Sequence, residues 1–242
     1  MTGRKRVEQQ PAWLLHHRPF RDSSRILDVF SRDHGRLALV SRGSRGAKSK
    51  LRGLLRPFMP LQLSWVIRSD LGTLTGAEMQ GAPISLTGDA LMSGYYVNEL
   101  LLHMLHRHDP QPDIFSAYAK TISQLAGNDD VAPVLRQFEI GLLRMLGYAL
   151  NLDHDTSADG SLQPDSQYEY RAEQGPVPVS ERLGPMIFTG AELTAIHRQE
   201  FSEPAVLKNA GRLLRNVIAY HLDGKELKSR KVMKEIRRAT DA

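Results

Sequence analysis

Residues 41–56 read SRGSRGAKSKLRGLLR, with six cations (Arg42, Arg45, Lys48, Lys50, Arg52 and Arg56), three glycines and no acid. Cations on a glycine-spaced loop can follow an irregular polyanion, and single-stranded nucleic acid is the commonest one. The plainer alternative is a basic loop that only faces water. Gly46-Ala47-Lys48-Ser49 imitates part of a phosphate-binding loop, but Ala47 separates the glycine from the lysine, so the G-x-x-x-x-G-K-S/T pattern is not met. Asp153–Ala158 opens like a calcium loop, yet Ala158 stands where the sharp turn needs glycine and Pro164 where a bidentate Glu belongs. His103 and His106, with His108 close by, sit at one-turn spacing and offer a metal grip from one helix face. No Glu completes the zinc-protease spacing. A histidine pair near a helix end, where positive charge suits the dipole, explains the same residues. There is no cysteine and no G-x-S-x-G elbow, so cysteine nucleophiles, disulfides and thiolate zinc sites are excluded. No catalytic residue, metal ligand or cofactor is assigned. Lys225–Arg238, with Lys228, Arg230, Lys231, Lys234, Arg237 and Arg238, is a second cationic cluster. It either extends a nucleic-acid path or is a helix end whose cations favour the dipole.

These residues need a scaffold. At 242 residues the chain suits one large domain or two smaller ones, and 41 % hydrophobic with 24 % charged residues allows a real core. No run nears the roughly 20 apolar residues of a membrane span. The opening MTGRKRVEQQPAW lacks an apolar stretch and is expected not to be a secretory signal. A cytoplasmic, nucleoid-associated protein without membrane contact is the expectation. Net charge is +5, but residues 1–81 hold 15 Lys and Arg against 6 Asp and Glu, while the rest holds 17 against 21. The positive field is concentrated in the first third, which bears on partners rather than fold.

That third reads as five short strands: Ala12–His17, Ser24–Ser31, Arg36–Ser41, Pro60–Arg68 and Leu71–Met79. Leu61-Gln62-Leu63-Ser64-Trp65 alternates as a half-buried strand does. Five strands with no helix-length pattern between them predict a small barrel rather than a parallel sheet. Helical periodicity starts near Gly88 and runs to before Asp109-Pro110. It returns over Ile114–Leu125, stopped at Gly127-Asn128, and over Val131–Leu146, stopped at Gly147. Residues 151–183 form a polar excursion, with a small hairpin expected around Tyr168–Arg171. Thr189-Gly-Ala-Glu192 has capping-box spacing, Ala205–Leu222 reads as a long helix and Lys228–Arg238 as a basic tail. The expected class is α+β, with a domain at residues 1–81 and a helical one at 82–242.

Several segments, in order, resemble the RecO family of bacterial recombination mediators. They are RPFRDSSRILDVFSRDHGR (Arg18–Arg36), SRGSRGAKS (Ser41–Ser49), YYVNELL (Tyr95–Leu101), LRQFE (Leu135–Glu139), LGY (Leu146–Tyr148), FTGAEL (Phe188–Leu193), Glu200-Phe201 and LKSR (Leu227–Arg230). The resemblance covers nearly the whole chain. It implies an N-terminal five-stranded oligonucleotide-binding barrel, an all-helical C-terminal domain, and activity without turnover. It also implies binding of single- and double-stranded DNA and annealing of complementary strands. With RecR, such proteins load RecA onto DNA coated by single-strand-binding protein. On this reading Arg42, Arg45, Lys48, Lys50, Arg52 and Arg56 contact DNA. Arg136, walled by Leu135 and Leu142, takes the acidic, Phe-ending tail of single-strand-binding protein. Some members carry a four-cysteine zinc site after L-G-Y. Here Asp153, His154 and Asp155 occupy that stretch, and zinc is not carried over.

Phe20, Phe58 and Trp65 are candidate base-stacking aromatics, with Trp65 better read as core. Two rival functions stand beside the mediator: a general nucleic-acid adaptor, RNA included, and a metal-dependent hydrolase on His103 and His106.

Overall fold

The computed structural model describes residues 5–67, 70–127, 130–155, 160–180 and 184–240, without the side chains of Arg237 and Thr240. Arg68 at an expected strand end, Asn128 at an expected helix stop, and Thr156, Ser157 and Ala158 of the would-be calcium loop lie outside the described residues.

Five strands come first: β1 (Lys5–Phe20), β2 (Ser24–Ser31), β3 (Gly35–Ser41), β4 (Pro60–Ile67) and β5 (Leu71–Met79), with a short helix α1 (Lys50–Leu54) between β3 and β4. They close into a barrel in the order β1-β2-β3-β5-β4, all neighbours antiparallel except β3 with β5. Closure depends on β1 being far longer than Ala12–His17. Its first half pairs with β4 (Lys5↔Ile67 to Trp13↔Pro60), its second with β2 (Ala12↔Ser31 to Phe20↔Ser24). The polar Lys5–Gln10 stretch carries little hydrophobic alternation, so only hydrogen bonding reveals that half. Two register shifts, between Val7 and Gln10 and between Leu14 and His16, bend the strand around the barrel. Leu14, Leu27, Val29, Leu37, Leu39, Leu61, Leu63 and Trp65 fill the interior. This strand order, with a helix after β3, is the oligonucleotide-binding (OB) arrangement.

Three longer helices follow: α2 (Gly88–Met104), α3 (Pro112–Ala126) and α4 (Val131–Met145). The first two cover the barrel. Asn98 Nδ2 donates to the Leu15 carbonyl at 2.9 Å, and the Tyr118 hydroxyl donates to Asn98 Oδ1 at 2.8 Å. Trp13 meets Tyr118 edge-on at 5.3 Å and Phe30 meets Phe115 at 5.4 Å. This is why β2 is buried on nearly its whole length. Burial pushes the Tyr118 phenol far above its usual pKa, so it acts only as a neutral donor.

α2 ends at Met104 rather than near Asp109, because Leu105 turns extended (ψ 135°). Arg107 then bridges to Arg36, and the His108 amide donates to the Arg36 carbonyl at 2.9 Å. Gly35 permits this approach, since it has φ +64° and a Cβ there would overlap the Asp109 carbonyl.

The remainder comprises β6 (His154–Asp155), β7 (Gly160–Ser161), β8 (Gln167–Arg171), β9 (Gly175–Pro178), β10 (Ile187–Thr189), α5 (Gly190–His197), α6 (Pro204–His221) and α7 (Lys228–Thr240). The hairpin expected around Tyr168–Arg171 is present as β8–β9, and β10 adds a third strand. The Thr189–Glu192 capping box forms with both reciprocal hydrogen bonds and opens α5. The chain divides into two compact units, residues 1–129 with 227–242, and residues 130–226. In the second, α4 packs on α6, and α6 on α5.

Candidate nucleic-acid interface

The cationic segment leaves β3 at Ser41 and enters β4 at Pro60, and it is folded rather than loose. Arg25, on β2, is 7 % exposed and reaches across it. Its Nε donates to Ser44 Oγ and its Nη2 to the Ser44 carbonyl, both at 3.1 Å. Nη2 also donates to the Leu51 carbonyl at 3.4 Å, and Nη1 to the Leu55 carbonyl at 3.3 Å. The Ser44 hydroxyl in turn donates to the Ser41 carbonyl at 3.0 Å. Burial, then repulsion from Arg52, lowers the Arg25 pKa from so high a start that the group stays charged. Beyond this knot, Leu51 and Leu54 pack on the barrel core and Leu55 is fully buried. Lys50, Arg52 and Arg56 between and beside these leucines are exposed. The leucines hold the segment down while the cations stand in water.

All six expected DNA contacts are exposed: Arg42, Arg45, Lys48, Lys50, Arg52 and Arg56. Arg45 is also positioned, its Nη1 donating to the Arg21 carbonyl at 3.1 Å. Next to the start of the segment the barrel opens a cleft of about 540 Å³, lined by Phe20, Arg21, Ser23, Ser24, Val40, Arg42, Leu71 and Thr73. The β1–β2 turn makes one wall and the parallel β3–β5 pair the other. The cleft combines a half-buried aromatic, an exposed leucine, three hydroxyls and two guanidiniums, with Arg21 lying 5.3 Å over the Phe20 ring. Such a cleft can shelter a base against Phe20 and Leu71 while Arg21 and Arg42 meet the adjoining phosphates.

Of the three candidate aromatics, Phe20 alone reaches this surface. Trp65 is wholly buried, and Phe58 is buried against Tyr95 at 5.3 Å. Sequence reasoning missed the part played by Arg25. The available signal was a lone cation near the start of the mostly apolar run Arg25–Phe30, on a strand that is buried almost throughout.

The histidines do not form a metal grip. His106 lies beyond the end of α2, and His103 Nε2 is 3.9 Å from Glu99 of its own helix. Among the described residues no three His, Asp or Glu side chains are placed to hold a metal, and no helix is long and apolar enough to cross a membrane.

In the second unit, Arg136 lies on α4 with its side chain 14 % exposed, its Nη2 donating to Glu139 Oε1 at 2.8 Å. Glu139 is fully buried, and Leu135 and Leu142 belong to the core. A Cβ on Gly211 of α6 would stand 2.9 Å from Arg136 Nη1, so the guanidinium lies across α6 at its glycine.

Residues 5–82 match the family model for the recombination protein O N terminal region, and residues 85–231 that for its C terminal region. The chain belongs to the RecO family of DNA repair proteins. It is 44 % identical over 241 residues to the DNA repair protein RecO of Dechloromonas aromatica, covering 98 % of this chain and 99 % of that one. With the DNA repair protein RecO of Aromatoleum aromaticum identity is 43 % over 237 residues, with the same coverage, and with that of an Azoarcus species 42 % over 240. The two RecO models meet between residues 82 and 85, whereas the compact unit holding the barrel continues through α3 and takes back α7. This RecO chain has no thiol for a four-cysteine zinc site. Asp153 instead approaches His154 Nδ1 at 2.7 Å and His197 Nε2 at 3.6 Å.

Proposed function

We propose that this chain is a non-catalytic mediator of recombination repair. It binds single- and double-stranded DNA through the barrel and its cationic segment, and it brings complementary strands together by lowering their mutual repulsion. The observation that carries this reading is the Arg25 knot, which holds down a segment of six exposed cations on an OB barrel, the first of them, Arg42, lining an aromatic cleft. Arg and Lys there displace condensed counterions from phosphates, giving affinity that is independent of sequence and sensitive to salt. With RecR, the protein loads RecA onto DNA covered by single-strand-binding protein, whose acidic tail docks at Arg136. It works in the cytoplasm and needs no cofactor.

The test is annealing of complementary oligonucleotides without ATP, with and without single-strand-binding protein. Pure protein should accelerate annealing in both. Replacing Arg42, Arg45, Lys48 and Lys50 with Ala should slow it and flatten the salt dependence of binding by about 0.7 per lost phosphate contact. An absolute nucleotide requirement would contradict the mechanism, and unchanged affinity in the variant would remove the segment from the interface. Tighter binding to RNA than to DNA of matched length would favour an RNA adaptor.

A further inference from the structure

The C-terminal cationic cluster is neither frayed nor part of the second unit. It forms α7, which folds back onto α2 of the barrel unit. The Glu99 carboxylate on α2 accepts from the backbone amides of Lys228 and Ser229 at 2.9 and 2.8 Å, and from the Ser229 hydroxyl at 2.6 Å. These are first-turn donors with no partner inside their own helix. One residue on, Arg230 donates to the Tyr96 hydroxyl at 2.7 Å and lies 4.9 Å over its ring.

α2 thereby becomes a shared mount. Phe58, two residues after Arg56, meets Tyr95 edge-on, and its ring fits there because residue 94 is glycine, where a Cβ would come within 2.9 Å of it. Tyr95 and Glu99 are four residues apart and share one face of α2, about 6 Å apart along the axis. The end of one cationic segment and the start of the other, some 170 residues later in sequence, are therefore anchored about one helical turn apart. On α7, Lys228, Lys231, Lys234 and Arg238 recur at three- and four-residue spacing, so they line one face, and all four are exposed. Glu235 is the only acid in the helix.

We propose that this face of α7 is a second phosphate-backbone site, which takes the partner strand while the segment at residues 42–56 holds the first. The inference rests on the DNA-binding reading above. Annealing needs two polyanions close together, and two cationic surfaces on one mount supply that, each screening its own strand. Glu99 is the positioning residue. It carries the α7 backbone and touches no nucleic acid.

The experiment compares intact protein with two variants, Lys231→Ala/Lys234→Ala/Arg238→Ala and Arg42→Ala/Lys48→Ala/Lys50→Ala. Affinity for one labelled single strand is measured as a function of salt, and annealing rate is measured with the complementary strand. The α7 substitutions should leave the melting temperature and the affinity for the first strand within about twofold, and slow annealing about tenfold or more. The binding of a preformed duplex should lose up to about 2.7 from its salt slope, about 0.9 for each phosphate contact removed. The segment variant should lose affinity for the first strand itself. Normal annealing by the α7 variant, with the segment variant impaired, would overturn the second site and leave the DNA-binding reading intact. Equal loss of first-strand affinity in both variants would overturn it in favour of one continuous site. Failure of the intact protein to bind or anneal would instead sink the underlying reading.

Discussion

Arg25 shows how one side chain turns a run of charge into a surface. Its hydrogen bonds reach carbonyls at Ser44, Leu51 and Leu55, so a single buried guanidinium fixes both ends of the cationic segment. Arg25→Met keeps much of the volume and leaves every exposed cation in place, but strips those carbonyls of their donor. An unsatisfied buried polar group costs about 1–3 kcal/mol. The variant should therefore melt lower by that order of stability, and bind single-stranded DNA more weakly although no phosphate contact has been removed. Thermal melting and fluorescence anisotropy on an oligonucleotide measure the two effects. Undiminished DNA affinity in a destabilised variant would show that the segment needs charge alone. The sequence around Arg25 marks a cation on a buried strand but not what it holds, because its partners lie 19 to 30 positions away and, apart from the Ser44 hydroxyl, are backbone carbonyls.

At the scale of elements, the pattern of side chains was legible where one face is buried and the other wet. Leu61–Trp65 alternates and is a strand, and α3, α4 and α6 keep the spacings that mark an amphipathic helix. Elements held by hydrogen bonding or by a few leucines were not legible: the polar first half of β1, the five-residue α1 and the three-residue β10. α7 was legible as charge and not as a docked helix, because its anchor is a carboxylate on α2 far away in sequence. That anchor titrates. Burial works to raise the Glu99 pKa, but the Ser229 hydroxyl, the amides of Ser229 and Lys228 and the nearby His103 together hold it below its usual value. Arg230 of α7 is also held against α2. A carboxyl with a depressed folded pKa stabilises the docked form above the unfolded value of about 4.3, and this is lost as pH falls through the lower folded value. Amide exchange in α7 should therefore accelerate below about pH 4 relative to α2, and Glu99→Gln should show that faster exchange already at neutral pH. Equal protection of α7 in Glu99→Gln and the intact protein would mean that Arg230 and Tyr96 hold the helix without the carboxylate.

Across the molecule, the net charge of +5 conceals a division of labour. The unit made of residues 1–129 and 227–242 gathers both cationic segments, and residues 130–226 carry Arg136 on a separate core. If DNA and the acidic tail of single-strand-binding protein use different units, they can be separated by mutation. Simple truncation of Arg136 is a poor instrument for this. Its guanidinium pairs with the fully buried Glu139, and breaking a buried pair by removing one partner costs about 3–5 kcal/mol. The change to make is Arg136→Ala together with Glu139→Gln, which removes the guanidinium and the buried negative charge it pairs with. That protein should melt close to the parent and bind naked DNA with unchanged affinity and salt slope. It should bind the isolated tail peptide at least about tenfold more weakly, in keeping with the loss of a charge-assisted contact of about 1.5–3 kcal/mol. Calorimetry with the peptide and anisotropy with an oligonucleotide decide the matter. Full retention of peptide affinity would dismiss Arg136 as the receptor for the tail, and a parallel loss of DNA affinity would mean that the two ligands share a single surface.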